Sequence, residues 1–295
     1  MRPALKVERL RSWLFIEGAN EAALAHAASS QGDVLVQELE DFTPPDLRPR
    51  ARELAPDTLV VWRTAGKVAA ARINPLDGDG LADLEAVMAG RPQAVMLPKT
   101  ESAEEVRALD DAVTEHEKSL GIDAGTTALV PNVETARGLM STFRIAGASP
   151  RVVACLVASE DMATDLGAER GRDGAELDYV RARFHLECTA AGVLSIDCPY
   201  TFADVEGCEA DTLRARRLGY RSKSTVVAEH AAVINRVLTP GEDEVRDAAR
   251  IVEAFEDARA RGNARVKVDG SHVEIPIYLN AKRLLERARV LRGED

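Results

Sequence analysis

The sequence predicts an α/β protein, a (β/α)8 barrel with a C-terminal helical extension, and two observations predict it. Short apolar, β-branched runs recur eight times, separated by amphipathic stretches of helical length. That alternation gives a parallel sheet wrapped by helices, and a count of eight favours its closure into a barrel. No G-x-G-x-x-G follows an early strand, as an open dinucleotide-binding sheet would require.

In chain order, strands are expected at residues 12–18, 34–41, 69–75 and 94–100, then at 128–135, 152–161, 194–200 and 220–226. The stretch "SAEEVRALDDAVTEHEKSL" reads as a helix with Ser102 as N-cap and acids in its first turn. "AELDYVRARFHLECTAAG" reads as another, ending on Gly192. "GEDEVRDAARIVEAFEDARARG" and "VKVDGSHVEIPIYLNAKRLLERARVL" exceed the eight units. The expected division is therefore a barrel over 1–238 and a helical extension over 239–295, with a turn at Asp269-Gly270.

Composition narrows the function classes. A formal net charge of −11 argues against nucleic acid and against an anionic membrane surface. The longest apolar run, Val152 to Ala158, is too short to span a bilayer, and the first residues lack the apolar core of a secretory signal. The expected location is the cytoplasm. Cys155, Cys188, Cys198 and Cys208 form no C-x-x-C pair, and the five histidines form no H-x-x-x-H pair, so neither a zinc site nor a disulfide framework is expected.

Barrels of this kind carry their chemistry at the C-terminal ends of the strands. Those ends hold Glu17, then Glu38, Glu40 and Asp41, then Arg72 and Asn74, then Lys99. Glu134, Glu160 with Asp161, Asp197 and Lys223 complete the set. Each has a structural explanation by itself: Glu134 could mark the first turn of a helix, and Asp41 could cap a turn. Together they converge on one rim, and so many carboxylates need cations beyond Arg72, Lys99 and Lys223. Glu134 and Asp161, on neighbouring strands, can reach one ion, and oxygen-only ligands completed by water and substrate suit Mg²⁺. Arg72 offers a planar fork for a substrate carboxylate, with Asn74 and Lys99 as further candidate substrate-binding side chains. An ion plus an arginine suits a lyase handling a 2-oxo acid or acyl enolate.

Five motifs in order, "ELED", "ARINPLDGDGLADLE", "AVMLPKTESAEEV", "PNVETARGL" and "ASEDMATDLGA", make the chain resemble the HpcH/HpaI aldolase and citrate lyase beta subunit family, in its citrate-lyase-like branch. The resemblance runs from "RSWLFIEGAN" to the last helix. It implies a barrel that assembles as a trimer or hexamer and uses Mg²⁺ to cleave or form carbon–carbon bonds in 3-hydroxy acids or their CoA thioesters. It also implies Glu134 and Asp161 as metal ligands, Arg72 as the carboxylate clamp, and Glu40 as a group holding the arginine or a water. In such relatives the tail crosses to a neighbouring subunit and delivers an acid/base group, which by position is Glu274.

The sequence departs from the family pattern at three places. "EGAN" stands where "PGN" is usual, putting Glu17 at the proline, and Glu21 replaces a basic residue. "SKSTVVAEH" replaces "GKxxIHPxQ", with Val227 and Ala228 for His-Pro. "DGSHVE" replaces "DGKMxD", with Glu274 for the aspartate. These changes fall where a thioester or its acyl carrier would bind. Two other readings stay open: a Schiff-base aldolase using Lys99 or Lys223, and a non-catalytic metabolite-binding barrel.

Overall fold

The computed structural model describes residues 5–294, in two compact units that meet in sequence between Leu238 and Thr239. The first holds eight strands: β1 (Ser12–Glu17), β2 (Val34–Glu38), β3 (Val68–Arg72), β4 (Ala94–Leu97), β5 (Ala128–Val133), β6 (Ala154–Val157), β7 (Leu194–Asp197) and β8 (Ser222–Thr225). They pair in parallel in sequence order, and β1 pairs with β8, which closes the barrel. The helices are α1 (Glu21–Ala27), α2 (Arg48–Thr64), α3 (Gly80–Ala89), α4 (Ala103–Ser119), α5 (Ala136–Ala146), α6 (Glu160–Leu166), α7 (Asp178–Ala191), α8 (Val205–Leu218) and α9 (His230–Leu238).

Strand alternation sorts the side chains into two cores. Trp13, Phe15, Val34, Val36, Ala70, Ala94, Met96, Ala128, Val130, Ala154, Leu156 and Ile196 fill the lumen. Ala70, Ala94 and Ala128 stand directly in register on three adjacent strands, and their small side chains leave room for Trp13 and Phe15. Residues of opposite parity, such as Leu14, Leu35, Ala69, Ala71 and Val95, join the core formed with the helices.

The expected caps are present. Ser102 accepts the Glu105 N–H while the Glu105 carboxylate accepts the Ser102 N–H, a reciprocal cap on α4. Gly192 ends α7 with φ 73°, a left-handed conformation that suits glycine. The strands, however, stop one to four residues earlier than their apolar pattern suggested. β6 ends at Val157, and Glu160 and Asp161 lie in the first turn of α6 instead of on the strand. The polar residues past each strand belong to the βα turns.

The second unit consists of α10 (Glu242–Ala260), α11 (Ile275–Arg292) and, between them, a hairpin of β9 (Val266–Val268) and β10 (Ser271–Val273). The hairpin adds to the all-helical extension expected. Asp269 and Gly270 have φ 50° and 81°, the two positive values that a tight two-residue hairpin turn uses. Phe255 and Tyr278 stack at 4.7 Å between ring centroids and join α10 to α11. No helix among the described residues is long and apolar enough to cross a membrane.

Candidate active site

The lumen of the barrel changes character above Val36, Ala70 and Val130. Following the inward parity, the next residues are Glu38 at the end of β2, Arg72 at the end of β3, and Asn132 then Glu134 on and just past β5. Glu38, Asn132 and Glu134 are fully buried, and Arg72 is 6% exposed. The apolar core therefore ends in a charged layer.

Glu38 organises this layer. Its carboxylate accepts from Arg72 Nε at 2.9 Å and from the backbone N–H groups of Glu40 at 2.8 Å and Phe42 at 2.7 Å. The loop after β2 thus wraps around its own carboxylate and presents Glu40. Gly18 lets the loop after β1 come close: a Cβ there would lie 2.5 Å from the Glu38 carbonyl oxygen. Glu38 stands among the expected rim residues, with no role expected for it. Its alternation with Val34 and Val36 was the signal that it faces inward.

Arg72 bridges the strands. Beyond Glu38, it meets Glu40 at 3.2 Å and Glu134 at 3.4 Å, and its guanidinium lies over the rings of Phe15 and Phe42. Lys99 sits just past β4 with φ 48°, a strained conformation for a residue with a side chain. Its ammonium is held by Glu40 at 2.5 Å and Asp41 at 3.2 Å. Burial works against the charged lysine, but these carboxylates outweigh it and raise its pKa. Asn74 spends its amide nitrogen on the Leu39 carbonyl and the Asp83 carboxylate, both at 2.7 Å, and so fastens the turn after β3.

Two cations thus face five carboxylates: Glu38, Glu40, Asp41, Glu134 and Asp161. The imbalance falls on Glu134. Burial pushes its pKa up to about 8; the Arg72 charge pulls down, while Asp161 and Glu40 push up further. One Glu134 oxygen meets Arg72, and the other, Oε2, is buried without a partner. Burial likewise raises the pKa of Glu40, against the pull of Arg72. A bare, buried carboxylate oxygen beside a second acid is the electrostatic situation that a bound cation relieves. Among the described residues no group of three or more His, Cys, Asp or Glu side chains is disposed to hold an ion. The protein's share would be two oxygens, from Glu134 and the half-buried Asp161, leaving most of the shell to water and substrate. That donor set fits Mg²⁺ and not zinc.

Asp197 and Lys223 are placed differently from expectation. Ile196 faces the lumen, so Asp197 faces the helices; Lys223 is its register partner on β8 and faces the same way. Lys223 is fully buried between Asp197 at 2.6 Å and Asp211 of α8 at 2.5 Å, and Arg181 of α7 joins both acids at 2.7 Å. This cluster bolts α7 and α8 to the barrel wall and does not belong to the rim. Lys223 read as a rim residue because its strand is short and mostly polar, which hides the parity. Glu17 does follow the inward set Trp13 and Phe15. A broad surface groove lined by Arg107, Phe143 and Arg144 includes none of the rim acids.

Comparison with known proteins agrees with this architecture. Residues 11–228 match the HpcH/HpaI aldolase/citrate lyase family. Citrate lyase subunit beta of Haemophilus influenzae is 32% identical over 281 residues, covering 95% of this chain and 97% of its own. A (3S)-malyl-CoA thioesterase of Cereibacter sphaeroides is 29% identical over 95% of both chains. Among solved structures, the Mycobacterium tuberculosis protein CitE in complex with magnesium, acetoacetate and coenzyme A superposes with a TM-score of 0.78 at 26% identity, over 95% of this chain and 98% of that one. The citrate lyase beta subunit of the same organism, complexed with oxaloacetate and magnesium, gives 0.67 at 28% identity over 80% of this chain and all of its own. The chain belongs to the HpcH/HpaI aldolase/citrate lyase family.

Proposed function

We propose that the protein is a Mg²⁺-dependent carbon–carbon lyase acting on a small carboxylated 3-hydroxy acid or its CoA thioester. The observation that carries this reading is the fully buried Glu134 carboxylate, with one oxygen on Arg72 and the other bare. Magnesium and an oxo acid or CoA in the complexes of related structures support it. Glu134 and Asp161 hold the ion. When bound, Mg²⁺ supplies positive charge for the oxo-acid oxygens and for the charge that develops as the carbon–carbon bond breaks.

The chain's own groups do the rest. Glu38 fixes the Arg72 guanidinium through Nε, and Glu40 holds it from the other side. The Glu134 contact is the longest of the three, so it is the one a substrate carboxylate replaces when Glu134 turns to the ion. Lys99, 40% exposed at its side chain, is the cation nearest solvent for an anionic substrate group. Asn74 contributes by holding the turn beside Arg72. Cleavage removes the proton of the 3-hydroxyl and returns one to the α-carbon of the departing acyl fragment. We assign that proton to Glu274, an exposed residue at the N-cap position of α11 whose side chain makes no capping bond. In this reading it acts on the site of a neighbouring subunit in a trimer or hexamer, and the enzyme works in the cytoplasm on small molecules.

The Schiff-base alternative is weaker, because nearby carboxylates hold both Lys99 and Lys223 protonated. One experiment separates the two. Oxo-acid release from a 3-hydroxyacyl-CoA that carries a carboxylate on C3 should stop on EDTA treatment and return with Mg²⁺. Borohydride with an oxo acid should leave activity intact. Activity that survives EDTA but is lost to borohydride would replace this reading with the lysine mechanism.

A further inference from the structure

One polar side chain in the lumen is not used by the carboxylates or the cations. Asn132 continues the inward set Ala128 and Val130 on β5 and lies two residues before Glu134. It is fully buried, and neither its Oδ1 nor its Nδ2 has a partner. No other buried side chain among the described residues leaves two polar atoms bare. Its backbone is satisfied in the ordinary way, its carbonyl accepting the Thr100 N–H at 2.9 Å. Just beyond the neighbouring strand β6, Ser159, 1% exposed, also has a bare hydroxyl.

Folded proteins keep few such atoms, because each forfeits its hydrogen bonds to water. Asn132 and Glu134 carry theirs on and just past β5, at the charged end of the lumen. Glu134 calls for a cation. An amide with both a donor and an acceptor calls for a neutral group that also does both, and a hydroxyl donates to Oδ1 while accepting from Nδ2.

The charges point the same way. Arg72 serves the one substrate carboxylate, Lys99 is already shared by Glu40 and Asp41, and Glu17, by its parity, adds another carboxylate at the mouth. A second carboxylate on the substrate would meet like charge there, whereas a hydroxyl would not.

We propose that Asn132 is a specificity-determining residue that hydrogen-bonds a neutral hydroxyl of the substrate. The preferred oxo acid then carries a hydroxyl instead of a second carboxylate. This rests on the oxo-acid reading of the site given above.

The test is calorimetric titration of the full chain, with saturating Mg²⁺, by pyruvate and by hydroxypyruvate, which differ by one hydroxyl. The wild type should bind hydroxypyruvate about tenfold more tightly, the scale of one well-made hydrogen bond in a buried site. In Asn132→Leu and Asn132→Ala the ratio should fall to about one while pyruvate affinity stays within about threefold. Asn132→Leu should also keep or raise the melting temperature of the ligand-free protein, since it removes a bare amide from an apolar lumen. A ratio near one in the wild type, or a ratio unchanged in the variants, overturns the proposal and leaves the amide to a buried water. Two unfolded variants would make Asn132 a core residue and overturn it as well. If neither oxo acid binds the wild type, the oxo-acid reading itself falls, and this inference with it.

Discussion

Arg72 on β3 reaches Glu134 beyond β5 at 3.4 Å, both side chains buried in the lumen, and it satisfies only one of the two carboxylate oxygens. A single guanidinium shared among Glu38, Glu40 and Glu134 cannot neutralise all three. The resulting deficit of positive charge makes several measurable differences.

The first concerns the ion. Mg²⁺ should raise the melting temperature of the wild type by the mass-action stabilisation of a ligand that binds only the folded state, about 2.7 kcal/mol at a hundredfold excess over Kd. Glu134→Gln and Asp161→Asn should lose that increment and give no binding heat by calorimetry. In EDTA, Glu134→Gln should be at least as heat-stable as the wild type, because a desolvated carboxyl with one bare oxygen has been replaced by a neutral amide. Unchanged Mg²⁺ affinity in both variants would exclude these two residues as ligands.

Arg72→Lys keeps the charge but loses the fork that spans three carboxylates. Stability should fall by about 1–3 kcal/mol, less than breaking a buried ion pair outright costs because the charge is kept, with oxo-acid affinity down by about tenfold. Denaturant unfolding and titration of the same sample report the two effects. A substrate clamp with no other duty would lose oxo-acid affinity alone.

Acid unfolding should report the cluster on the other side of the barrel wall. Burial would raise the pKa of Asp211, but Lys223 and Arg181 outweigh it and hold it at about 2, below its usual 3.8. Because the folded-state value is the lower one, the stabilisation is fully present above about pH 3.8 and is lost as pH falls through about 2. Asp211→Asn should therefore be less stable than the wild type by about 2 kcal/mol near pH 6, with the gap closing between about pH 4 and pH 2. A gap independent of pH would show that the asparagine disturbs packing and not charge.

The tail can be tested by complementation. Glu134→Gln and Glu274→Ala, each inactive alone, should regain part of the activity when co-refolded into mixed oligomers, since some interfaces pair an intact metal site with an intact tail. Mixed oligomers that form and stay inactive, or a fully active Glu274→Ala, would remove Glu274 from the chemistry.

Much of this was legible in the residues. Eight apolar runs separated by helical stretches gave the closed barrel, and Ser102 and Gly192 gave the ends of their helices, because local chemistry decides both. The gathering of Glu40, Arg72, Lys99 and Glu134 followed from counting strand ends. Facing was harder to read. Lys223 and Asp197 occupy strand positions as plausible as those of Arg72, yet they turn toward the helices. Only a secure parity distinguishes the two cases, and the "SKST" of β8 offers no apolar alternation to set one. For Glu38 the alternation with Val34 and Val36 does show the inward facing, but its bonds to the Glu40 and Phe42 N–H groups depend on how the loop after β2 folds back. The bare amide of Asn132 could not be seen without coordinates, because a lack of partners is a property of packing.

Trp13 and Phe15, accommodated by the alanines at the same depth, stop the barrel from below. The reaction vessel is then a cup with one door. A cleavage makes two products from one substrate, and here both must leave by the mouth through which the substrate came. With the oxo acid held at Arg72 as proposed, departure should be sequential: the fragment nearer the opening goes first, and the oxo acid goes last. Product-inhibition kinetics should bear the mark of that queue, with the oxo acid competing directly against incoming substrate and the acyl fragment giving a mixed pattern.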